Sequence, residues 1–535
     1  MVTAAQMLEA EQRAAAMDIP PHRLMENAGL AVAREVAGLW PEVAGTPLLV
    51  LIGPGNNGGD GLVAARHLHD WGARVHIYLC SPRDIKDDPN LKLTRERGIP
   101  TVQAEEDQGF AALEDILAST RGVIDALLGT GKLRPMGGVF KEVLARVRGA
   151  RLARPGLRVI ALDLPSGLDA DSGAANGVSL GADITVTLGY PKLGLFAGSG
   201  PDLAGRLRVV DIGIPPAQEQ GQGQDQGQDQ GQDRAPDPEL ITARWVRSAL
   251  PHRPPGAHKG SFGKVLVVAG SPNYIGAAYL ACSGAARVGA GLVTLAIPQS
   301  LLPILAAKLT ETTFLPLPES EPGVPAPHAI QALSDFAKYD VWVVGCGLGQ
   351  DPRVVEFITT CLVSPPAPTP PLVLDADALN TLARLPRWWR KLRGEAVLTP
   401  HAGEMSRLTG TPAAEIAAHR LETAGEAARK WGKVVVLKGA HTVIAAPDGR
   451  TRLSSEANPG LASAGTGDVL AGVIGGLLGQ GLNLFDAAVC GVYLHSAAAE
   501  LVRDKLGEAG MLAGDLLPAL PRAIKAIKED RSPLL

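Results

Sequence analysis

The 535-residue chain reads as α/β, organised as two doubly wound domains. Three observations predict this. Short runs of Val, Leu and Ile alternate with helix-period stretches in both halves, glycine-rich turns follow many of the runs, and a Gly/Gln/Asp tract separates two such patterns. Strand–helix–strand units of this kind imply parallel sheets with right-handed crossovers. Length alone suggests roughly two to four domains. A content of 46% hydrophobic and 20% charged residues with 63 glycines fits a globular α/β chain rich in tight turns. Formal net charge is −4 without a long basic run, so neither nucleic acid nor an anionic membrane surface is an expected partner.

The elements follow in order. From Pro20, the residues Leu24, Ala28, Ala31, Val32, Val36 and Leu39 recur at helical spacing, with Pro20 and Pro21 suited to the first turn. LLVLI at 48–52 is a strand, GPGNNGGDG a turn, LVAARHLHDWG a helix and ARVHIYLC the next strand. Further strands are expected at 123–128, 159–164, 184–188 and 207–212, which closes a first domain at 1–216. Residues 217–236 are mostly Gly, Gln and Asp, with no apolar residue between Ala217 and Ala235; they cannot bury a core and read as a flexible linker. The second domain, 237–532, opens with a strand at 264–269, the loop GSPNYIG, the helix AAYLACSGAARVGA and the strand LVTLAIP. YDVWVVGCGLG, PLVLDADALN and AVLTPHAGE continue the alternation, and VVVLKGAHTVIAAPDGRTRLSS reads as a hairpin turning at Pro447, Asp448 and Gly449. Last comes NPGLASAGTGDVLAGVIGGLLGQGL at 458–482, a small-residue turn running into an apolar helix.

The five cysteines, Cys80, Cys282, Cys346, Cys361 and Cys490, are odd in number and show no metal-ligand spacing, so reduced thiols in the cytoplasm are expected. The N-terminus lacks the apolar core of a secretory peptide. The longest apolar run, 469–482, is glycine-rich and shorter than the ~18 residues a membrane span needs, so no membrane partner is expected.

Chemistry in the first half gathers in loops after strands. GPGNNGGDG contains a G-x-G-x-x-G match between a strand and a helix, a context that supports phosphate or nucleotide binding. The second strand, however, ends at Cys80, Ser81, Pro82 and Arg83, without the acid that would hold a dinucleotide ribose, which disfavours simple hydride transfer. Asp60, Asp125 and Asp163 lie in glycine-rich loops that a doubly wound sheet can bring to one crevice. Three acids there need a cation, a shared proton or distance between them. Asn57 and Ser166 could add neutral oxygens for a hard cation beside Asp125, and Lys192 a positive group on the same rim. Each Asp alone is better read as a cap or turn former; the set together favours a site.

MENAG at 25–29, GPGNNGGDG, DALLGTG and DLPSGLD together resemble the NAD(P)H-hydrate epimerase domain over almost all of 1–216. The resemblance implies a Rossmann-like fold and interconversion of the R and S epimers at the hydrated nicotinamide carbon. It implies potassium held by Asn57, Asp125 and Ser166. It also implies that Asn56, Asn57, Gly58, Gly59, Asp60, Gly129, Thr130, Gly131, Lys132, Leu133, Arg134, Pro135 and Asp163 contact the hydrated nucleotide. Asp163 and Lys192 are the expected acid/base pair.

The second half has no Walker A lysine motif. Its anion candidates are the helix start at 464–468, Lys438 in LKGAHT and the GCGLG turn at 345–349. Asp468 either caps its helix or acts as a base for a hydroxyl group. His401, in LTPHAGE, is as an isolated histidine more often structural than catalytic. Asp375 and Asp377 either hold Mg²⁺ through water or cap a helix starting near Ala378. HKGSFGKVLVVAGS, NYIGAA, GCGLG, DADALN, TPHAGEM, KGAHT and NPGLASAGTGDVLAGVIGG, spanning 258–476, resemble the ribokinase-like superfamily. Within it they match most closely the ADP- or ATP-dependent NAD(P)H-hydrate dehydratases. By that resemblance Ala277, Gly347, His401 and Asp468 contact the hydrated nucleotide, while Lys438, Gly439, Ala440, His441, Thr442 and Gly467 hold ADP, with Mg²⁺ at the site. Cys346 stands where that pattern often has proline, and Ser463 and Ala464 where it has Thr and Gly. The chain is thus expected to be a fused repair enzyme acting on NADHX and NADPHX, cytoplasmic and homo-oligomeric. The alternatives are a vitamin-alcohol kinase with an N-terminal nucleotide sensor, or a first half that only binds nucleotide.

Overall fold

The computed structural model describes residues 1–86, 88–131, 137–175, 177–215, 237–364, 370–532 and 534. The chain divides into two compact units, Met1–Gln232 and Asp233–Leu535. The expected linker, 217–236, lies outside the described residues.

In the first unit β1 (Pro47–Ile52), β2 (Arg74–Leu79), β3 (Thr101–Gln103), β4 (Gly122–Ala126), β5 (Arg158–Leu162), β6 (Ile184–Leu188) and β7 (Arg206–Val210) form one sheet. Its order is β3-β2-β1-β4-β5-β6-β7, and every neighbouring pair is parallel. The chain builds outward from β1 to β3, then returns to place β4 on the other side of β1. That reversal opens a crevice at the C-terminal ends of β1 and β4, where GPGNNGGDG and Asp125 lie. All six residues of β1 are buried, as a strand covered on both faces requires. The helices Pro21–Ala37 and Asn56–Asp70 pack together through Gly29 of MENAG, where a Cβ would meet Val63 Cβ at 2.4 Å. Strands β4 and β5 stop two residues short of the sequence expectation. The chain leaves the sheet there to build the site: Leu127 and Leu128 turn away after β4, and Asp163 follows β5 at φ +68°.

In the second unit the strands are β8 (Glu239–Leu240), β9 (Lys264–Val268), β10 (Leu292–Pro298), β11 (Thr313–Leu317), β12 (Glu319–Glu321), β13 (Val324–Pro325), β14 (Val341–Val344), β15 (Leu372–Leu374), β16 (Ala396–Leu398), β17 (Val434–Leu437), β18 (Val443–Ala445) and β19 (Thr451–Leu453). Ten of them form a sheet in the order β11-β10-β9-β14-β15-β16-β17-β18-β19-β8, and β12 and β13 form a separate antiparallel ribbon. Pairing is parallel from β11 to β17 and antiparallel through β17, β18 and β19. The expected single hairpin is therefore two reversals. Pro447, Asp448 and Gly449 turn β18 into β19, while residues 438–442 turn β17 into β18 through Gly439 (φ +151°) and His441 (φ +52°).

The apolar run at 469–482 is glycine-rich for a packing reason. Helix Thr466–Gly479 lies so close to helix Ile275–Arg287 that a Cβ on Gly472 would meet Ala281 O at 2.0 Å. The following helix, Leu484–Leu506, is long and apolar enough to cross a membrane by length and composition, but 89% of its apolar window is buried inside the protein. It serves as core.

Candidate active sites

In the first unit, the loop after β4 and the loop after β5 close on each other through Asp125 and Ser166. Asp125 is fully buried; its Oδ1 accepts from Ser166 Oγ at 2.7 Å and its Oδ2 from Ser166 N at 3.0 Å. Leu128 N donates to Ser166 Oγ at 3.0 Å, and Asn57 Nδ2 donates to Leu128 O at 3.1 Å. The three residues expected around a cation thus share one hydrogen-bond network. Burial pushes the Asp125 carboxyl up, partly offset by its Ser166 and Leu127 hydrogen bonds, and among the described residues no basic side chain counters it.

Beside this network lies a charged cluster. Lys192, wholly buried, donates from Nζ to Asp163 Oδ1 and, at 3.0 Å, to Leu188 O. Asp163 Oδ1 also accepts from Leu188 N at 3.0 Å and Thr187 Oγ1 at 3.2 Å. Burial raises the Asp60 carboxyl well above its ordinary range, reinforced by the charges of Asp163 and Glu11 and opposed by Lys192 and Arg83. Glu11 is likewise raised, first by burial, with Lys192 opposing and Asp163 adding. Sequence reasoning passed over Glu11 because it lies on a separate amphipathic helix, Ala4–Ala16. That helix is brought here by Val2, whose N–H donates to Pro191 O at 3.0 Å and whose carbonyl accepts from Leu193 N at 3.1 Å. Asn56 through Asp60 form the first turns of helix Asn56–Asp70. Arg83, in the loop after β2, buttresses the glycine loop, donating to Gly53 O at 2.9 Å and to Gly55 O. A Cβ on Gly129 would lie 3.3 Å from Asn57, which places that loop over the same network. Thr130 and Gly131 continue it; Lys132, Leu133, Arg134 and Pro135 lie outside the described residues.

In the second unit, four strand ends converge on the start of helix Thr466–Gly479. Gly465, at φ +92°, caps that helix without a side chain, so the amides of its first turn stay available to an anion. Asp468 does not serve as the N-cap. Its carboxyl is raised to about 6, first by burial and then by Asp375, while Cys346 and Lys438 oppose the rise. Asp375, at the end of β15, accepts at Oδ1 from Lys438 Nζ at 2.6 Å and from Thr399 Oγ1 at 2.6 Å. Lys438 Nζ also lies 3.8 Å from Glu404 Oε2. Burial would pull the Lys438 ammonium down, but Asp375 and Glu404 outweigh it and hold the group charged. A Cβ on Gly467 would lie 3.3 Å from Lys438 Nζ, so lysine and helix start face each other.

Lys438 is also fixed through its backbone: its N–H donates to Pro400 O at 2.8 Å, next to His401. His401 caps helix Ala402–Thr409 through Nδ1, while Glu404 returns a bond to His401 N at 2.9 Å. Its ring stays half exposed at 54%, with Nε2 3.4 Å from Glu404 Oε1. The H-x-x-E spacing in TPHAGE carried this capping signal and placed Glu404 beside Lys438, a contact the sequence reading missed. Asp377 does not pair with Asp375. It stitches the GCGLG turn, accepting from Gly349 N at 2.8 Å and Gln350 Nε2 at 3.0 Å. Gly347, at φ +62°, packs against Ala277, where its Cβ would lie 2.7 Å from Ala277 Cβ, so that expected pair is adjacent. Cys346 is fully buried with Sγ 4.0 Å from Asp375 Oδ2. Sγ and one oxygen from each of Asp375 and Asp468 lie within 4.8 Å of one another. Burial pushes that thiol well up, so it is a protonated, soft group unsuited to Mg²⁺.

Comparison with known proteins matches both halves. Residues 265–522 match the family model described as NAD(P)H-hydrate dehydratase, and residues 21–194 match YjeF-related protein N-terminus. The chain is 42% identical to the bifunctional NAD(P)H-hydrate repair enzyme Nnr of Moorella thermoacetica over 99% of this chain and 97% of that protein. It is 34% identical to the Escherichia coli enzyme of the same name over 96% and 91%. A crystal structure of ADP/ATP-dependent NAD(P)H-hydrate dehydratase from Bacillus subtilis, co-crystallised with ATP/Mg²⁺, shares 35% identity, covering 54% of this chain and 99% of that one at a TM-score of 0.47. The chain belongs to the bifunctional NAD(P)H-hydrate repair enzymes, which join an epimerase to an ADP-dependent dehydratase in one polypeptide.

Proposed function

We propose that Asp163 and Lys192 carry the epimerisation and Asp468 the phosphoryl transfer that precedes dehydration. The observation that carries the first assignment is the wholly buried Lys192 paired with Asp163 among further acids whose carboxyls burial has raised. The inverted carbon of the substrate bears a hydroxyl group and the ring nitrogen, so inversion requires a bond there to open and reclose. A proton is donated in one direction and taken in the other. Lys192 donates, Asp163 holds and orients it, and Asp60, its carboxyl raised by burial, lies beside them. Potassium fits the neighbouring network: Asn57, Asp125 and Ser166 offer hard oxygens, and among the described residues the buried Asp125 carboxylate has no basic partner. When bound, the ion balances that charge and fixes the two loops that frame the substrate.

In the second unit, Asp468 stands in the first turn of an anion-accepting helix with its carboxyl raised to about 6, poised to take a proton near neutral pH. Hydroxide leaves poorly and phosphate well. Asp468 therefore takes the proton from the ring hydroxyl of S-NAD(P)HX as its oxygen attacks the terminal phosphorus of ADP. AMP departs; the ring nitrogen then expels phosphate as the C–O bond breaks, and loss of a proton from the adjacent ring carbon to water restores the double bond of NADH or NADPH. The amides at the helix start stabilise the developing phosphoryl charge, and residues 438–442 with Gly467 hold the nucleotide. Asp375 and Asp468 are the hard-oxygen members of a cluster whose third member is the Cys346 thiol, so these two carboxylates would hold Mg²⁺ together with the ADP phosphates, whose charge it would neutralise. Buried free thiols at all five cysteines support placement in the cytoplasm. A homo-oligomer is retained as the expected state, which analytical ultracentrifugation tests.

Mixed-epimer NADHX supplied with ADP and Mg²⁺ tests both halves. Full recovery of reduced-nicotinamide absorbance is expected. Recovery stopping near half would sink the epimerase assignment, and no recovery with ADP or ATP would sink the dehydratase assignment.

A further inference from the structure

Lys438 is the obvious cation of the 438–442 turn, yet its charge is already balanced by Asp375 at 2.6 Å and Glu404 at 3.8 Å. Among the described residues at this turn, the cation without a counter-charge is Arg420. It opens helix Arg420–Trp431 and reaches the turn, where Nη2 donates to Leu437 O at 2.9 Å. A Cβ on Gly439 would meet Arg420 Nη1 at 2.6 Å and Cζ at 3.0 Å, so the guanidinium lies against a glycine whose φ is +151°. Arg420 Nε is buried and has no hydrogen-bond acceptor among the described residues, and no carboxylate among them pairs with the group. Burial alone pulls its pKa down to about 10, with no acid offsetting it. His441, one turn position on, is held neutral, its pKa lowered to about 4 first by burial and further by Arg420 itself. Gly439 and Ala440 are exposed, so the approach to the guanidinium past the turn is open. A partly buried guanidinium with an unfilled donor is costly until an anion arrives, and its planar fork matches phosphoryl oxygens better than a lysine does.

We infer that Arg420 grips the phosphate chain of the adenine nucleotide at this turn, leaving Lys438 to hold Asp375 and Glu404 in place. The inference rests on the assignment of residues 438–442 to the nucleotide. Calorimetric titration of the full chain with ADP tests it. Arg420→Gln is expected to weaken ADP binding about 10- to 100-fold, the range for hydrogen bonds to a charged group. Arg420→Lys, which keeps charge but loses the fork, is expected to fall between that variant and wild type. Inhibition by adenosine, which has no phosphate, should not change. Wild-type ADP affinity in Arg420→Gln overturns the inference while leaving the turn's assignment intact; failure of the wild-type chain to bind ADP overturns the assignment itself. If Arg420→Gln does not fold, phenylglyoxal labelling of the wild-type chain decides. ADP is expected to shield Arg420 and adenosine to leave it reactive, and equal labelling with and without saturating ADP overturns the proposal.

Discussion

Lys192→Met removes the ammonium from among Asp163, Asp60 and Glu11 while leaving most of the side-chain volume. Lys192 is 0% exposed, Asp163 6% and Asp60 8%, so water cannot take over the lost charge. Breaking a buried ion pair by deleting one partner costs about 3–5 kcal/mol. For a unit of this size each kcal/mol shifts the melting temperature by about 2–4 °C, so the first unit is expected to melt roughly 6–20 °C lower. Against a stability of about 10 kcal/mol, the middle of the ordinary domain range, that loss leaves it folded at room temperature. With mixed-epimer NADHX and ADP the two activities separate in time. The S epimer is consumed first by the dehydratase, and the remainder waits for the epimerase. The first phase should be unchanged in Lys192→Met, and the second should slow by at least about 100-fold, the usual share of a positioned acid/base group. The double variant Asp163→Asn/Lys192→Met leaves no unpaired charge at that pair. It should recover several kcal/mol without recovering the second phase. A second phase at wild-type rate in Lys192→Met would refute the acid/base role, and a double variant no more stable than the single one would refute the charge argument.

Asp468→Asn should abolish dehydration, by about 10³-fold or more in kcat, while calorimetry shows ADP still binding; near-normal turnover would return Asp468 to a structural role. Acid should destabilise the second unit through His495 and His441, whose pKa values burial lowers to about 4. Both are neutral when folded but take a proton below about 6.5 when unfolded, so their contribution is complete above that value and drains away as pH falls toward 4. Each group amounts to at most about 3 kcal/mol. His495→Gln keeps a donor for Thr466 O, which His495 Nε2 meets at 2.9 Å, and should flatten the pH dependence of the urea midpoint of dehydratase activity. An unchanged slope would exclude His495 as its source. Replacing K⁺ by Li⁺ should slow the epimerase phase of the wild-type chain, and Asp125→Asn should remove that ion dependence; an Asp125→Asn chain still activated by K⁺ would place the cation elsewhere.

The parallel sheets, the glycine loops and the acids at strand ends were all legible, because each depends on local periodicity or on residue types within a few positions. Asp125 with Ser166 and Asp163 with Lys192 followed from the rule that parallel strands end on one crevice, as did the meeting of Lys438 with the Gly467 turn. The illegible part was how charge is divided inside those crevices. Glu11 arrives on a separate helix anchored by Val2, Arg420 on the helix before β17, and Lys438 finds Asp375 across 63 residues. No local pattern announces such partners. The two units nonetheless reach the same arrangement. Each places an aspartate at the C-terminal end of a central strand, Asp163 after β5 and Asp375 after β15, and ties to it a lysine from the loop after another strand, Lys192 or Lys438. A lysine after a strand is ordinarily solvated, but a buried carboxylate draws it inward and uses up its charge. The consequence differs between the sites. In the first, the acids outnumber the lysine, so the paired Lys192 can still serve proton transfer. In the second, the incoming group is itself anionic, so a lysine already neutralised by two acids leaves the phosphate to Arg420 and to the amides of the Gly467 turn.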